Sequence, residues 1–221
     1  MIQQTKSDRW GPLSGVAFVV LIVAAFIVGW STPMSNASAA KVIAWYSNSS
    51  HKRNANISAL LIDIAVVVGF FFFGYLRDRL RGTELGKRLA PVAFGGAIVF
   101  GVGGLIGAGT TFALTDVPKD LAPAAAQALN VMSNDIWFPA TFIGMSILTL
   151  ASSIVFLKSR TMPTWFGWFG IVIGVAGLAG PIGFFAFLAV GLWLLILSYL
   201  FYSRPVVVTT SEPRPMEASV V

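Results

Sequence analysis

Residues 57–81, ISALLIDIAVVVGFFFFGYLRDRLR, constrain the fold of this chain more than any other stretch. From Ile64 to Phe73 there is no charged or polar side chain, and Arg77, Arg79 and Arg81 follow close behind. A segment of this kind reads as one transmembrane helix ending in a basic foot at the membrane surface. Inside it sits Asp63, an acid that the surrounding apolar run carries into the membrane. Composition agrees: 56% of the 221 residues are hydrophobic and 11% are charged, against about a quarter charged in a soluble domain.

The other apolar runs follow the same logic. Leu13 to Trp30 is long enough for about 27 Å of helix, with Trp10 and Trp30 as interfacial anchors. A basic start, an apolar core and Ala37-Ser38-Ala39 would also suit a cleaved signal peptide. The run is longer than a usual signal core, so we read a retained first helix. A third helix is expected from about Pro91 to Phe112, where Ala93, Ala97 and Gly101, and also Gly103, Gly107 and Thr111, fall at a spacing of four and suit close helix packing. A fourth runs from Ile136 to Leu157. The stretch from Trp165 to Tyr202 is too long for one span, and Gly180-Pro181-Ile182-Gly183 divides it into helices at about 164–179 and 183–202. The first of these is short, and a re-entrant segment is the alternative. Between the spans, Val42 to Tyr46 is expected to rest on the membrane surface, and Asp120 to cap a short helix over Leu121 to Met132.

The chain is thus expected to be an all-α bundle of six transmembrane helices over residues 11–202, with a cytoplasmic N-terminus at 1–10 and a disordered cytoplasmic tail at 203–221. Orientation comes from the basic residues. Lys6, Arg9, Arg77, Arg79, Arg81, Lys87, Arg88, Lys158, Arg160, Arg204 and Arg214 fall on one side; Lys41, Lys52, Arg53 and Lys119 fall on the other. Eleven against four places both termini in the cytoplasm and the two long loops outside a plasma membrane.

The net charge of +6 is therefore topological. Arg77, Arg79, Arg81, Lys87 and Arg88 meet lipid headgroups, and no basic stripe is interleaved with stacking aromatics, which argues against nucleic acid. The chain has no cysteine, which removes disulfides and thiolate chemistry, and its one histidine, His51, is too few for a histidine metal cluster. No cofactor is expected.

Two motifs carry a resemblance. Phe72-Phe73-Gly74-Tyr75-Leu76-Arg77-Asp78-Arg79-Leu80-Arg81 resembles the aromatic-then-Leu-Arg-x-x-Leu-Arg end of the second helix in a family of small bacterial multi-pass membrane proteins. That family is common in actinobacteria and is catalogued as a domain of unknown function (the family numbered 4386). Met162-Pro163-Thr164-Trp165-Phe166-Gly167-Trp168-Phe169-Gly170 is similar to the Leu-Pro-x-Trp-x-Gly-x-x-Gly start of its fifth helix, with Met162 in place of Leu, and Trp193 also has a counterpart. The resemblance implies a fold and a membrane location and brings no activity.

For a site, Asp63 is the sharpest candidate, because an ionised side chain inside a membrane needs water or a partner. Arg53 and Lys119 fall on the same side, and with Asp63 they define a candidate outward-facing polar pocket; the alternative is a structural ion pair. Asp116, Asp120 and Asp135 read as solvated residues or helix caps. With no credible set of nucleophile, base and metal ligands, the expected protein is not an enzyme. It is a structural or accessory membrane protein in the lipid bilayer, as a homo-oligomer or with a membrane-protein partner. The alternative is a small transporter or lipid-binding protein using the Asp63 pocket, and a polar-lined cavity open to one side would favour it.

Overall fold

The computed structural model describes residues 7–179 and 182–203 and, within them, every side chain except those of residues 7–9, 136 and 137. Lys6, Arg204, Arg214, the tail from 204 and the Gly180-Pro181 pair lie outside the described residues. Everything regular in them is helical: α1 (Ser7–Gly29), α2 (Ala39–Ser47), α3 (Ser49–Leu80), α4 (Glu84–Asp116), α5 (Pro123–Val131), a π-helical turn (Met132–Ile136), α6 (Trp137–Ser159), α7 (Thr164–Ala176) and α8 (Gly183–Ser203).

Five stretches are long and apolar enough to cross a membrane: Trp10–Gly29, α3, α4, Pro123–Ser159 and α8. At 13 residues, α7 reaches only about 20 Å, short of the ~30 Å hydrocarbon core. It stops at Ala176 rather than near 179, because the Leu178 and Ala179 amides donate to carbonyls three residues back at 3.1 Å.

Helices α3 and α4 are longer than expected at both junctions. Asn48 starts α3 by accepting from the Ser50 and His51 amides at 3.0 and 3.3 Å, so His51 to Asn56 are helical rather than loop. Thr83 starts α4 by accepting from the Gly86 amide at 2.9 Å. Pro91 lies inside this helix rather than at its start. The turn between α3 and α4 is tight: a Cβ on Gly86 would drive into the Leu80 carbonyl.

The extra turns of α3 and α4 rise into a small second core. Val42, Tyr46, Ala55, Leu114 and Ala126 are buried together there. Val42 and Tyr46 therefore face α5 and the ends of α3 and α4 rather than a membrane surface. Burial pushes the Tyr46 phenol up to about 12. The Thr115 hydroxyl donates to the Asn56 side-chain oxygen, tying α4 to α3. Pro123 opens α5, and its cap residue, Ala122, makes no side-chain bond, so Asp120 does not cap it. We call this the cap end of the bundle and the Arg77–Arg88 end the basic end.

Below the cap, helices pack through small residues. A Cβ on Gly29 would meet Ser58, one on Gly15 Phe72, and one on Gly11 Tyr75, which fixes α1 antiparallel to α3. The Ser58 hydroxyl donates to the Ala25 carbonyl at 2.8 Å. Between α4 and α6 the backbones touch: a Cβ on Gly96 would lie 2.7 Å from the Gly144 carbonyl oxygen, and one on Gly144 2.7 Å from that of Gly96. Between α6 and α7, Gly170 faces Ser153, Gly174 faces Thr149 and Gly177 faces Ser146. Apolar chains gain little by leaving lipid for one another, so such close contact is what holds membrane helices together. Gly170 and Gly174, four residues apart on α7, thus form a packing face. The expected row Ala93, Ala97, Gly101 divides: Ala93 and Ala97 are buried in the main core, while Gly101 turns toward Val66 of α3, 3.3 Å from where its Cβ would stand.

Trp193 of α8 is fully buried and stacks on Phe166 of α7 at 5.3 Å and 7°. Its indole nitrogen stands 2.7 Å from where a Gly170 Cβ would be. We predict that Gly170→Ala costs about 1–3 kcal/mol by overpacking, read as a lowered Tm in detergent. Gly95→Ala, where a Cβ meets nothing within 4 Å, should leave Tm level or slightly higher. Equal melting of the two variants would contradict the packing described.

Candidate functional site

Toward the cap end, α1, α3, α4, α6 and α8 enclose a space that their side chains do not fill. The result is a cavity of about 620 Å³. Protein interiors hold few voids larger than a water molecule, and this volume lies among small-molecule sites, roughly 300–1,000 Å³. Its wall on α4 is Ala97, Gly101, Gly104, Gly107 and Thr111. Its wall on α3 is Ser58, Ile62, Val66 and Phe70, and α8 adds Phe184 and Phe187. The floor is an aromatic cluster in edge-to-face contact: Phe18 with Phe73 at 5.5 Å, Phe18 with Phe100 at 6.0 Å, and Phe73 with Phe100 at 6.4 Å.

The rim is polar. It comprises the 30–35 link after α1, residues 133–135 of the π turn, and Thr141 at the start of α6. The π turn is held to the link by two amides. Asn130, fully buried, donates to the Met34 carbonyl at 2.9 Å. Asn134 donates to the Pro33 carbonyl at 3.1 Å and to the Asn130 carbonyl at 2.8 Å. Three of the six rim and wall hydroxyls are spent on backbone: Ser58 on Ala25, Thr111 on Gly107 at 2.9 Å, and Ser133 on Asn130 at 3.0 Å. The buried Thr141 hydroxyl has no partner among the described residues. Asp135 is exposed and forms no ion pair among the described residues.

The residues singled out in the sequence lie elsewhere. Asp63 is half-buried on α3, five residues or about 7.5 Å inward of Ser58, which itself packs on the end of α1. It is therefore nearer the cap end than the basic end, but it does not line the cavity. Arg53, ten residues earlier on the same helix and so about 15 Å away along its axis, is exposed, as is Lys119 in the α4–α5 link. No ion pair joins the three: within 4.0 Å the one ion pair among the described residues is Lys87–Glu84. At the basic end, Arg77 lies over the Phe94 ring at 5.6 Å, and Arg79 over Tyr75 and Phe201 at 5.0 and 5.5 Å. Arg81 and Arg88 are exposed there, as is Lys87. His51 stacks on Trp45 at 4.6 Å. Among the described residues no group of three or more His, Asp or Glu side chains gathers at metal-binding distance.

Sequence reading gave no site role to Asn130, Asn134 and Thr141 and read Asp135 as a solvated residue or a helix cap. The available signal was the polar run Ser133-Asn134-Asp135 set directly against an apolar span. A π turn in such a place is a frequent mark of functional sites. Comparison with known protein families, with curated proteins and with solved structures finds no match for this chain.

Truncating Asn130 should release the 30–35 link from the π turn. Asn130→Ala leaves the Met34 carbonyl without its donor, at about 1–3 kcal/mol. Hydrogen exchange over residues 31–36 should accelerate while α4 and α6 stay protected; unchanged exchange in that link would contradict this arrangement of the rim.

Proposed function

We propose that this multi-pass membrane protein binds an amphiphile in the cavity at its cap end and is not an enzyme. The cavity carries the reading: an apolar aromatic floor under a polar rim matches a molecule with an apolar body and a polar head. Of the two functions expected from the sequence, it favours lipid or small-molecule binding over a purely structural role, with Asp135 rather than Asp63 as the carboxylate at hand. A binding role also fits the dispersed titratable groups, since among the described residues no three His, Asp or Glu side chains gather and His51 stacks on Trp45.

The reading places the cap end outside a bacterial plasma membrane and both termini in the cytoplasm. Six passes follow if α7 and the segment after it carry the chain across together. Support comes from the basic residues at the Arg77–Arg88 end and from the antiparallel packing of α6 on α7. Membership of the actinobacterial family of unknown function belongs to the same proposal and rests on residues 72–81 and 162–170.

Two measurements test it. The chain lacks cysteine, so single substitutions report topology cleanly. An impermeant maleimide should label Asp120→Cys on intact cells and Lys87→Cys only after permeabilisation; the reverse pattern inverts the protein. For binding, Ile62→Trp fills the cavity. Wild type should gain Tm on adding single-chain amphiphiles, and the variant should gain at least about 2 °C less, a difference of under 1 kcal/mol in a protein of this size. A wild type that responds to none sinks the binding role.

A further inference from the structure

The rim selects among amphiphiles by charge. Resting on the binding reading above, we infer that the occupant carries a cationic, ammonium-type head, seated beside Asp135 with its apolar body on the phenylalanine floor. Asp135 is the one ionisable side chain among the described residues that line the cavity, and no Lys, Arg or His joins it. An anionic head would meet a carboxylate and no cation. The hydroxyls of Ser58, Thr111 and Ser133 and the amide of Asn134 already donate to backbone carbonyls. Charge rather than donor supply decides: the one ionised group among the described lining residues is a carboxylate, which suits a head that brings a positive charge.

Aromatic faces add to this. The Trp30 ring lines the same mouth, and ammonium groups are attracted to the faces of such rings. A bare metal ion fits less well. A divalent cation takes six or more oxygen ligands, whereas one carboxylate is present and the floor is hydrocarbon. The unpartnered, buried Thr141 hydroxyl marks the site as built for a polar contact on the α6 side.

The test uses the full chain in maltoside micelles with two radiolabelled probes of equal chain length, tetradecyltrimethylammonium and tetradecanol. Wild type should bind the ammonium probe about tenfold more tightly. Asp135→Asn should weaken the ammonium probe about fivefold and leave tetradecanol unchanged, with Asp135→Ser giving the same contrast and Asp116→Asn, an acid away from the cavity, giving none. Ile62→Trp should weaken both probes alike. Equal affinity for the two probes, or an Asp135→Asn that behaves as Asp116→Asn, overturns the cationic head and leaves the cavity reading standing. An Ile62→Trp that binds both as well as wild type overturns the cavity reading and this inference with it. Mass spectrometry of protein from native membranes separates the sources. A retained ammonium-headed bilayer lipid, lost in Ile62→Trp, names the membrane; binding of the added probe with no such lipid retained names a free amphiphile.

Discussion

Backbone contact at Gly96 and Gly144 is the constraint on which the bundle depends. With no hydrophobic gain between helices in lipid, association rests on how near two backbones come, and here α4 and α6 meet without any side chain between them. The opposite flank of α6 presents Ser153 and Thr149 to Gly170 and Gly174 of α7, and Ser146 to its C-cap Gly177. Thr149 turns its proton back to the Met145 carbonyl at 2.8 Å, so a hydroxyl fits into an apolar interface with its donor satisfied. Helix α6 is thus fixed on two sides through its lower length. No such contact closes the space between α1, α3, α4, α6 and α8 toward the cap, and that space is the cavity.

Much of this was legible from local sequence, and the failures have a common cause. The apolar runs located all the long helices, because apolar length alone decides membrane insertion. The ends were misjudged wherever a capping side chain outweighed composition. Asn48 and Thr83 extend α3 and α4 through polar residues that read as loop. The cap was misread because Val42 and Tyr46 find their partners in α5 and at Leu114, which are distant in sequence. The site was seen only in outline. Asp63 drew attention because an acid inside an apolar run is costly, about 3 kcal/mol at the bilayer centre. Asp135, at the edge of a run, carried no such signal, and only the three-dimensional meeting of the π turn with the 30–35 link gives it a cavity to face.

The basic foot has two layers. Arg77 and Arg79 lie over aromatic rings, with Arg79 also donating to the Tyr75 hydroxyl at 2.7 Å through Nε. Arg81, Lys87 and Arg88 stay exposed. Cations held on rings lock the end of α3 to α4 and α8, while the exposed ones remain available to headgroup phosphates. One stretch of sequence thereby serves both packing and orientation.

The π turn has a consequence for how the length of this chain can vary. A π turn holds one residue more than the α turn it replaces. Losing a single residue from 132–136 would restore a continuous α-helix through α5 and α6 with its two halves still close to their present orientation. Ser133, Asn134 and Asp135 within the turn would change register, and the carboxylate would leave the mouth, although α6 kept its contacts with α4 and α7. Descendants of this sequence with a one-residue gap at that place would keep the bundle and lose the rim, so chain length at five positions is itself a marker of whether the pocket has been retained.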